Sequence, residues 1–185
     1  MKLVLCSASP RRREFLERLG VRFTVAPAHI DETRRQAEPA LAYALRMALE
    51  KSSGGKRAGS VALGADTIVV KGEEVLGKPR DRCDAERMLR MLSGAEHRVI
   101  TAVAVAGLRA IAVETLVTFT PLSDAQVRWL AASGDGDDKA GAYAAQGLAG
   151  AFIERIDGSF SNVVGLPLAE TLQLLEEAGV ELPWM

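Results

Sequence analysis

The chain has 185 residues, 48% of them apolar and 25% charged, with a net charge of −1. That is enough chain for one domain, or one domain with two lobes, around a sizeable core. The near-neutral charge and a pI of about 6.2 are poor footing for nucleic-acid binding, which normally needs a basic face, and 5% aromatics leave little on which to stack bases.

Lys2-Leu3-Val4-Leu5 is a short apolar run of the buried-strand kind. Cys6-Ser7-Ala8-Ser9-Pro10-Arg11-Arg12-Arg13 follows as a tight turn into a helix, with Ser9 placed as N-cap and Pro10 as its first residue. Phe15, Leu16 and Leu19 share one helix face, and Gly20 ends it. Val21 to Ala26 is a second strand closed by Pro27, and His29 to Thr33 an acidic loop. Glu38-Pro39 opens a long helix ending near Lys51. Ser52 to Ser60 is a flexible surface loop with no assigned chemistry.

Val61 to Val70, apolar nearly throughout, is a central strand, and Lys71 to Glu74 turns it into Val75-Leu76. Gly77-Lys78-Pro79 is a loop, and Asp81 to Leu92 a helix stopped by Ser93-Gly94. His97 to Ala106 and Ile111 to Thr120 form a hairpin through Gly107 to Ala110. Ser123 caps a helix through Leu130, and Ser133 to Asp138 is a Gly/Asp loop. Ala140 to Ala149 has no clear period; Ala151 to Ile156 is a strand and Asp157 to Gly165 a loop. Leu166 to Ala178 is the last helix, opened by Pro167 and ended by Gly179. This order gives an α/β fold, a mixed sheet with helices on both faces.

Cys6 and Cys83 match neither a metal-ligand spacing nor a disulfide framework. No run is long enough to cross a membrane or to serve as a secretory signal. A reduced, cytoplasmic protein is expected.

Three arginines in a first helical turn are electrostatically misplaced, each by about 0.3–1 kcal/mol, because the helix start is already positive. A bound anion reverses that sign. The junction is therefore a phosphate site or an ordinary solvated basic turn. Asp66 interrupts an apolar strand, where a carboxylate needs hydrogen bonds, a cation or a metal; a structural Asp capping neighbouring N–H groups is the alternative. Glu32 alone is an ordinary loop acid, Lys51 an ordinary helix-end cation, and Lys78 a cation held between Gly77 and Pro79. Asp138 to Gly147 sets Lys139, Tyr143 and Gln146 among small residues that let a ligand approach. Together these are the parts of phosphate-oxygen chemistry, each placed at a strand end or in a loop: acids for a divalent cation, cations for oxyanions, a base for water. A P-loop is excluded by the lack of its glycine motif. His97 is structural.

Ser7-Ala8-Ser9-Pro10-Arg11-Arg12, Asp31-Glu32, Gly64-Ala65-Asp66-Thr67 and Gly77-Lys78-Pro79 occur in order. Asp138-Lys139-Ala140-Gly141-Ala142-Tyr143, Gln146-Gly147 and Asn162-Val163-Val164-Gly165-Leu166-Pro167 follow. Together they resemble the Maf family, over nearly the whole chain as a single domain, residues 1–185. Maf-like proteins release pyrophosphate from nucleoside triphosphates and leave the monophosphate; they were also named for an effect on septum formation. The resemblance implies a mixed, strongly twisted sheet of the inosine triphosphatase-like kind, with two lobes around a cleft. It implies a divalent cation, magnesium or manganese, held by Glu32 and Asp66, with Asp66 as proton acceptor. Arg11, Arg12, Lys51, Lys78 and Lys139 would contact phosphates, Lys78 joining Asp66 and Glu32 in catalysis, with Ser7 and Ser9 in the substrate loop. Arg11, Thr67 and Gln146 look like marks of the branch acting on dTTP and UTP. Family members are often homodimers. Modified nucleotides as substrates, or a nucleotide-binding regulator of septum formation, are the alternatives.

Overall fold

The computed structural model describes residues 1–55 and 58–185; Lys56 and Arg57, part of the expected Ser52–Ser60 loop, lie outside the described residues. In chain order the elements begin β1 (Lys2–Leu5), α1 (Pro10–Arg18), β2 (Phe23–Val25), α2 (Ala40–Gly54), β3 (Ser60–Lys71), β4 (Glu74–Leu76) and α3 (Arg82–Leu92). They continue β5 (Glu96–Val105), β6 (Ala110–Phe119), α4 (Asp124–Ser133), β7 (Ile153–Asp157), α5 (Phe160–Val164) and α6 (Leu168–Glu177). Two 3₁₀ helices, Ala140–Ala142 and Leu148–Phe152, lie between α4 and β7.

Among the described residues the sheet has seven strands in the order β2-β1-β3-β5-β6-β7, with β4 paired to β3. It is mixed: β1 runs parallel to β2 and β3, whereas β4 is antiparallel to β3 and β7 to β6. The chain divides into two compact units. The first is Met1–Asp66, Thr101–Val113 and Gly165–Met185, and the second Thr67–Ile100 and Glu114–Val164.

In the first unit, alternation along the strands separates two faces. Leu3, Leu5, Val61, Leu63 and Ala65 pack with Leu16 of α1 and with Leu174 and Leu175 of α6. Val4, Cys6 and Ala62 face the other way, and so does Gly64, where α2 lies against β3. Helices thus cover both faces there. The second unit has its own core, in which Met88, Leu89 and Leu92 of α3 and Val127 and Leu130 of α4 meet Val69, Val99, Val117 and Phe119.

Most expected elements are present, and the exceptions have local causes. α2 does not stop near Lys51 but runs to Gly54. Ser52 is buried within it, its hydroxyl donating to Leu49 O at 2.9 Å, which removes the polar cost of helix there. β2 is confined to Phe23–Val25. β7 begins only at Ile153, because Leu148–Phe152 coils into a 3₁₀ helix first. The expected loop from Asp157 to Gly165 contains α5, whose buried Asn162 donates to Val99 O at 3.0 Å and Thr115 Oγ1 at 2.9 Å. Pro167 is the N-cap of α6, and Ser123 caps α4 in a capping box with Gln126.

Candidate active site

The site is assembled from the carboxyl end of β1. That strand stops at Leu5, paired with Leu63, while β3 runs on. Beyond Leu63 the edge of β3 loses this neighbour, the usual place for ligand chemistry at the ends of parallel strands. Parity decides where the next side chains go. Asp66 is two residues beyond Gly64 and so shares the α2 face. Gly64 has no room for a side chain, since a Cβ there would overlap Ala48 O and the Ser52 amide. This close approach brings the last turns of α2 onto β3, and Lys51 Nζ donates to Asp66 Oδ1 at 2.7 Å. Both residues are only 9% exposed. Glu32 Oε1 meets the same ammonium from the exposed side, at 3.1 Å. Asp66 Oδ2 makes no hydrogen bond among the described residues.

Glu32 reaches this point because its loop is strapped to α2. Tyr43 Oη donates to Glu32 O at 2.7 Å, and Arg46 donates to Thr33 O at 3.0 Å. Arg46 also forks onto Glu38, with both contacts at 2.7 Å. Those bonds hold the Glu38 carboxyl down at about 2. Asp31 turns its carboxylate back onto Thr33 N at 2.9 Å, away from the cluster. Sequence reasoning had no signal for Arg46, Glu38 or Tyr43, whose roles exist only once the loop folds onto the helix.

Arg12 occupies the first turn of α1 and is buried, 8% exposed. Its Nε donates to Gly165 O at 2.8 Å, and one terminal nitrogen donates to Ala65 O at 2.9 Å and Ser7 Oγ at 3.0 Å. The guanidinium therefore ties α1 to the uncovered edge of β3 and to the segment leading into α6. Burial lowers its pKa, and the charge of Asp66 opposes that shift. Ser7 Oγ accepts from Arg12 and from Ser9 N at 3.2 Å; with its lone pairs engaged, its O–H is left to donate. Ser9 stands at the N-cap of α1, but its side chain makes no cap bond. The helix start thus has no N-cap side chain on its amides and no acidic residue in its first turn. Arg11 is half-buried there, while Arg13 is exposed and pairs with Glu17 at 3.6 Å.

Thr67, Lys78, Lys139 and Gln146 fall in the second unit. Thr67 is half-buried, the residue after Asp66 on β3. Lys78 and Gln146 are exposed, and Lys139 is half-buried and ion-paired with Asp138. A backbone bond joins the two loops that carry the lysines, Gly141 N donating to Gly77 O at 3.1 Å. His97 is buried and bonded to the Tyr143 hydroxyl at 2.8 Å, and burial lowers it to about 4, as a structural histidine requires.

Ser7, Arg12, Glu32, Lys51 and Asp66 are therefore brought together within the first unit. Arg12 lies in the first turn of α1 and Lys51 in the last turn of α2, the helical positions their sequence context gives, whereas Asp66 is not at a strand end but in the middle of a twelve-residue strand. The opening is made by β1 ending early, so a mid-strand residue of β3 serves as an end residue. Among the described residues no group of three or more metal-ligating side chains occurs. Two carboxylates converge on one cation, however, and that oxygen donor set fits magnesium or manganese, which take one or two carboxylates and complete their shells with phosphate and water. No helix among the described residues is long and apolar enough to cross a membrane.

Residues 2–178 match the family model described as Maf-like protein. A dTTP/UTP pyrophosphatase from an Anaeromyxobacter species is 53% identical, over 99% of this chain and 92% of its own length. One from Myxococcus xanthus is also 53% identical, over 98% of this chain and 95% of its own. A solved nucleoside-triphosphatase, a dITP/XTP pyrophosphatase from Mycobacterium abscessus, aligns over 97% of this chain and 95% of its own, with a TM-score of 0.39 and 13% identity. A likeness that weak says nothing about the reaction.

Proposed function

The chain belongs to the Maf-like family, and on that premise we propose that it is a nucleoside triphosphate pyrophosphatase that converts dTTP and UTP to the monophosphate and pyrophosphate. The observation that carries this reading is Asp66: a buried carboxylate with one oxygen fixed by Lys51 and the other without a hydrogen bond among the described residues. That second oxygen is left for water or a ligand.

In this reading Asp66 Oδ2 takes the proton of a water. The water oxygen bonds to phosphorus, the α–β phosphoanhydride bond breaks, and its electron pair leaves with pyrophosphate. Lys51 orients the carboxylate and meets charge on the phosphates. The uncapped start of α1, with the Ser7 hydroxyl and Arg11, offers donors to phosphate oxygens, whereas Arg12 holds that start in place. Lys78 and Lys139 are assigned to the phosphates as cations. Glu32 and Asp66 would hold a divalent cation, which when bound supplies charge neutralisation at the phosphate oxygens. Gln146 and Thr67 are assigned to the base. A Gln amide pairs with the O4 and N3–H edge of uracil or thymine, while the N4 amine of cytosine presents a donor where O4 accepts.

The test is a substrate panel. Pyrophosphate release from dTTP and UTP should run well ahead of CTP, ATP and GTP, and a chelator should abolish it until magnesium or manganese is restored. A purine triphosphate as best substrate would overturn the base assignment, and turnover undiminished by chelation would overturn the metal.

A further inference from the structure

Gln146 sits on a segment of the second unit that is pinned on both sides. Upstream, the Tyr143 hydroxyl is 2.8 Å from His97 Nε2, and its ring packs edge-on against His97 and Phe119, with centroids 5.5 and 4.9 Å away. Downstream, Asp135 Oδ2 accepts from Leu148 N at 3.0 Å. Gly147 lies so close to the Asp135 carboxylate that a Cβ would overlap it. Between these anchors Gln146 is exposed, and its amide makes no hydrogen bond among the described residues. The backbone just before Tyr143 is strained: Ala142 has φ +59°, a left-handed conformation that L side chains rarely adopt and that persists only where the surroundings enforce it. Gly141 is also left-handed, at φ +73°, and a Cβ there would stand about 3.1 Å from the Val69 side chain, so any side chain would strain the backbone and press on Val69.

Ordinary core packing accounts for the buried Tyr143 ring. It does not call for a hydroxyl bonded to a buried histidine, a strained alanine beside it, or a carboxylate spent on one backbone amide. We infer that Tyr143, held by His97, and Asp135 are positioning residues for base recognition, fixing the backbone on either side of Gln146 so that its amide is presented in one orientation. This rests on the assignment of Gln146 to the base.

The experiment measures kcat and KM for UTP and CTP in Tyr143→Phe, Asp135→Ala, Asp135→Asn, Gln146→Ala and the Tyr143→Phe/Gln146→Ala double variant, with thermal midpoints for each. Tyr143→Phe and Asp135→Ala should keep kcat for UTP within about twofold, raise its KM, and lower the UTP-over-CTP ratio of kcat/KM by roughly five- to tenfold. Asp135→Asn, which keeps a carbonyl acceptor for Leu148 N, should restore the ratio. The double variant should be no less selective than Gln146→Ala alone, because Tyr143 acts through that residue. An unchanged ratio in folded Tyr143→Phe and Asp135→Ala, even with lowered midpoints, overturns the inference, as do additive losses in the double variant. If Tyr143→Phe does not fold, the Asp135 pair decides. If Gln146→Ala itself leaves the ratio unchanged, the base assignment fails and the inference with it, an outcome distinct from the first.

Discussion

Asp66 and Arg12 are both buried polar residues of the first unit, yet the structure gives them different work. Asp66 keeps an oxygen for chemistry, so Asp66→Asn should fold, keep most nucleotide affinity and lose about 10²–10⁴-fold in turnover. Near-normal pyrophosphate release by the folded variant would remove Asp66 from the role. Arg12 donates to two backbone carbonyls and Ser7. Its loss leaves buried acceptors unpaired, so Arg12→Ala should cost about 2–4 kcal/mol in urea unfolding. Arg12→Lys should recover little of it, because a single ammonium cannot reproduce the fork. The sequence singled out Arg12 by its charge at a helix start, which is right about place. That its guanidinium points into the protein was not legible, because the acceptors at Ala65 and Gly165 are 53 and 153 residues away along the chain.

Between elements, the decisive contact is α2 on β3 at Gly64. Gly64→Ala places a methyl against Ala48 O and the Ser52 amide. The helix must shift, and Lys51 moves with it relative to Asp66. Gly64→Ala should therefore lower both the unfolding midpoint and kcat, whereas a merely destabilised enzyme assayed well below its midpoint would keep kcat. Strands β1 and β3 and helices α1, α3, α4 and α6 were readable from apolar periodicity, Pro and Gly punctuation and the Ser123 cap. The last turn of α2 and the short helix α5 were not. Ser-Ser-Gly-Gly and Asp-Gly-Ser are loop-forming sequences locally, and burial of Ser52 and Asn162 overrides that preference.

For the whole molecule, buried and paired groups set the response to acid. Burial, with the charge of Lys71 second, lowers His97 from 6.5 to about 4. The unfolded chain then binds that proton first, so stability from this group is complete above pH 6.5 and falls as pH drops from 6.5 to 4. Glu38, held by Arg46, falls from 4.5 to about 2, and Asp84, held by Arg80 and Arg87, from 3.8 to about 2. Their contribution is present above those unfolded values and lost as pH approaches 2. The urea midpoint should therefore decline in two stages on acidification, the first absent in His97→Gln. A midpoint that rises between pH 6.5 and 4 would contradict the buried neutral histidine.

By itself the sequence determined the α/β class, the strand–turn–helix that opens the chain, and the residue types of a polyphosphate site, because local periodicity, punctuation and unusual charge are properties of neighbours along the chain. The family and its pyrophosphatase relatives followed from motif order, which is also linear. Only the tertiary structure decided which of those charges face one another. It turned Asp66 toward Lys51 through the parity of β3, brought Glu32 to the same ammonium through Tyr43 and Arg46, and spent Arg12 on backbone carbonyls. Each depends on contacts between segments far apart in sequence, whose register is set by the packing of helix on strand and cannot be inferred from either segment alone.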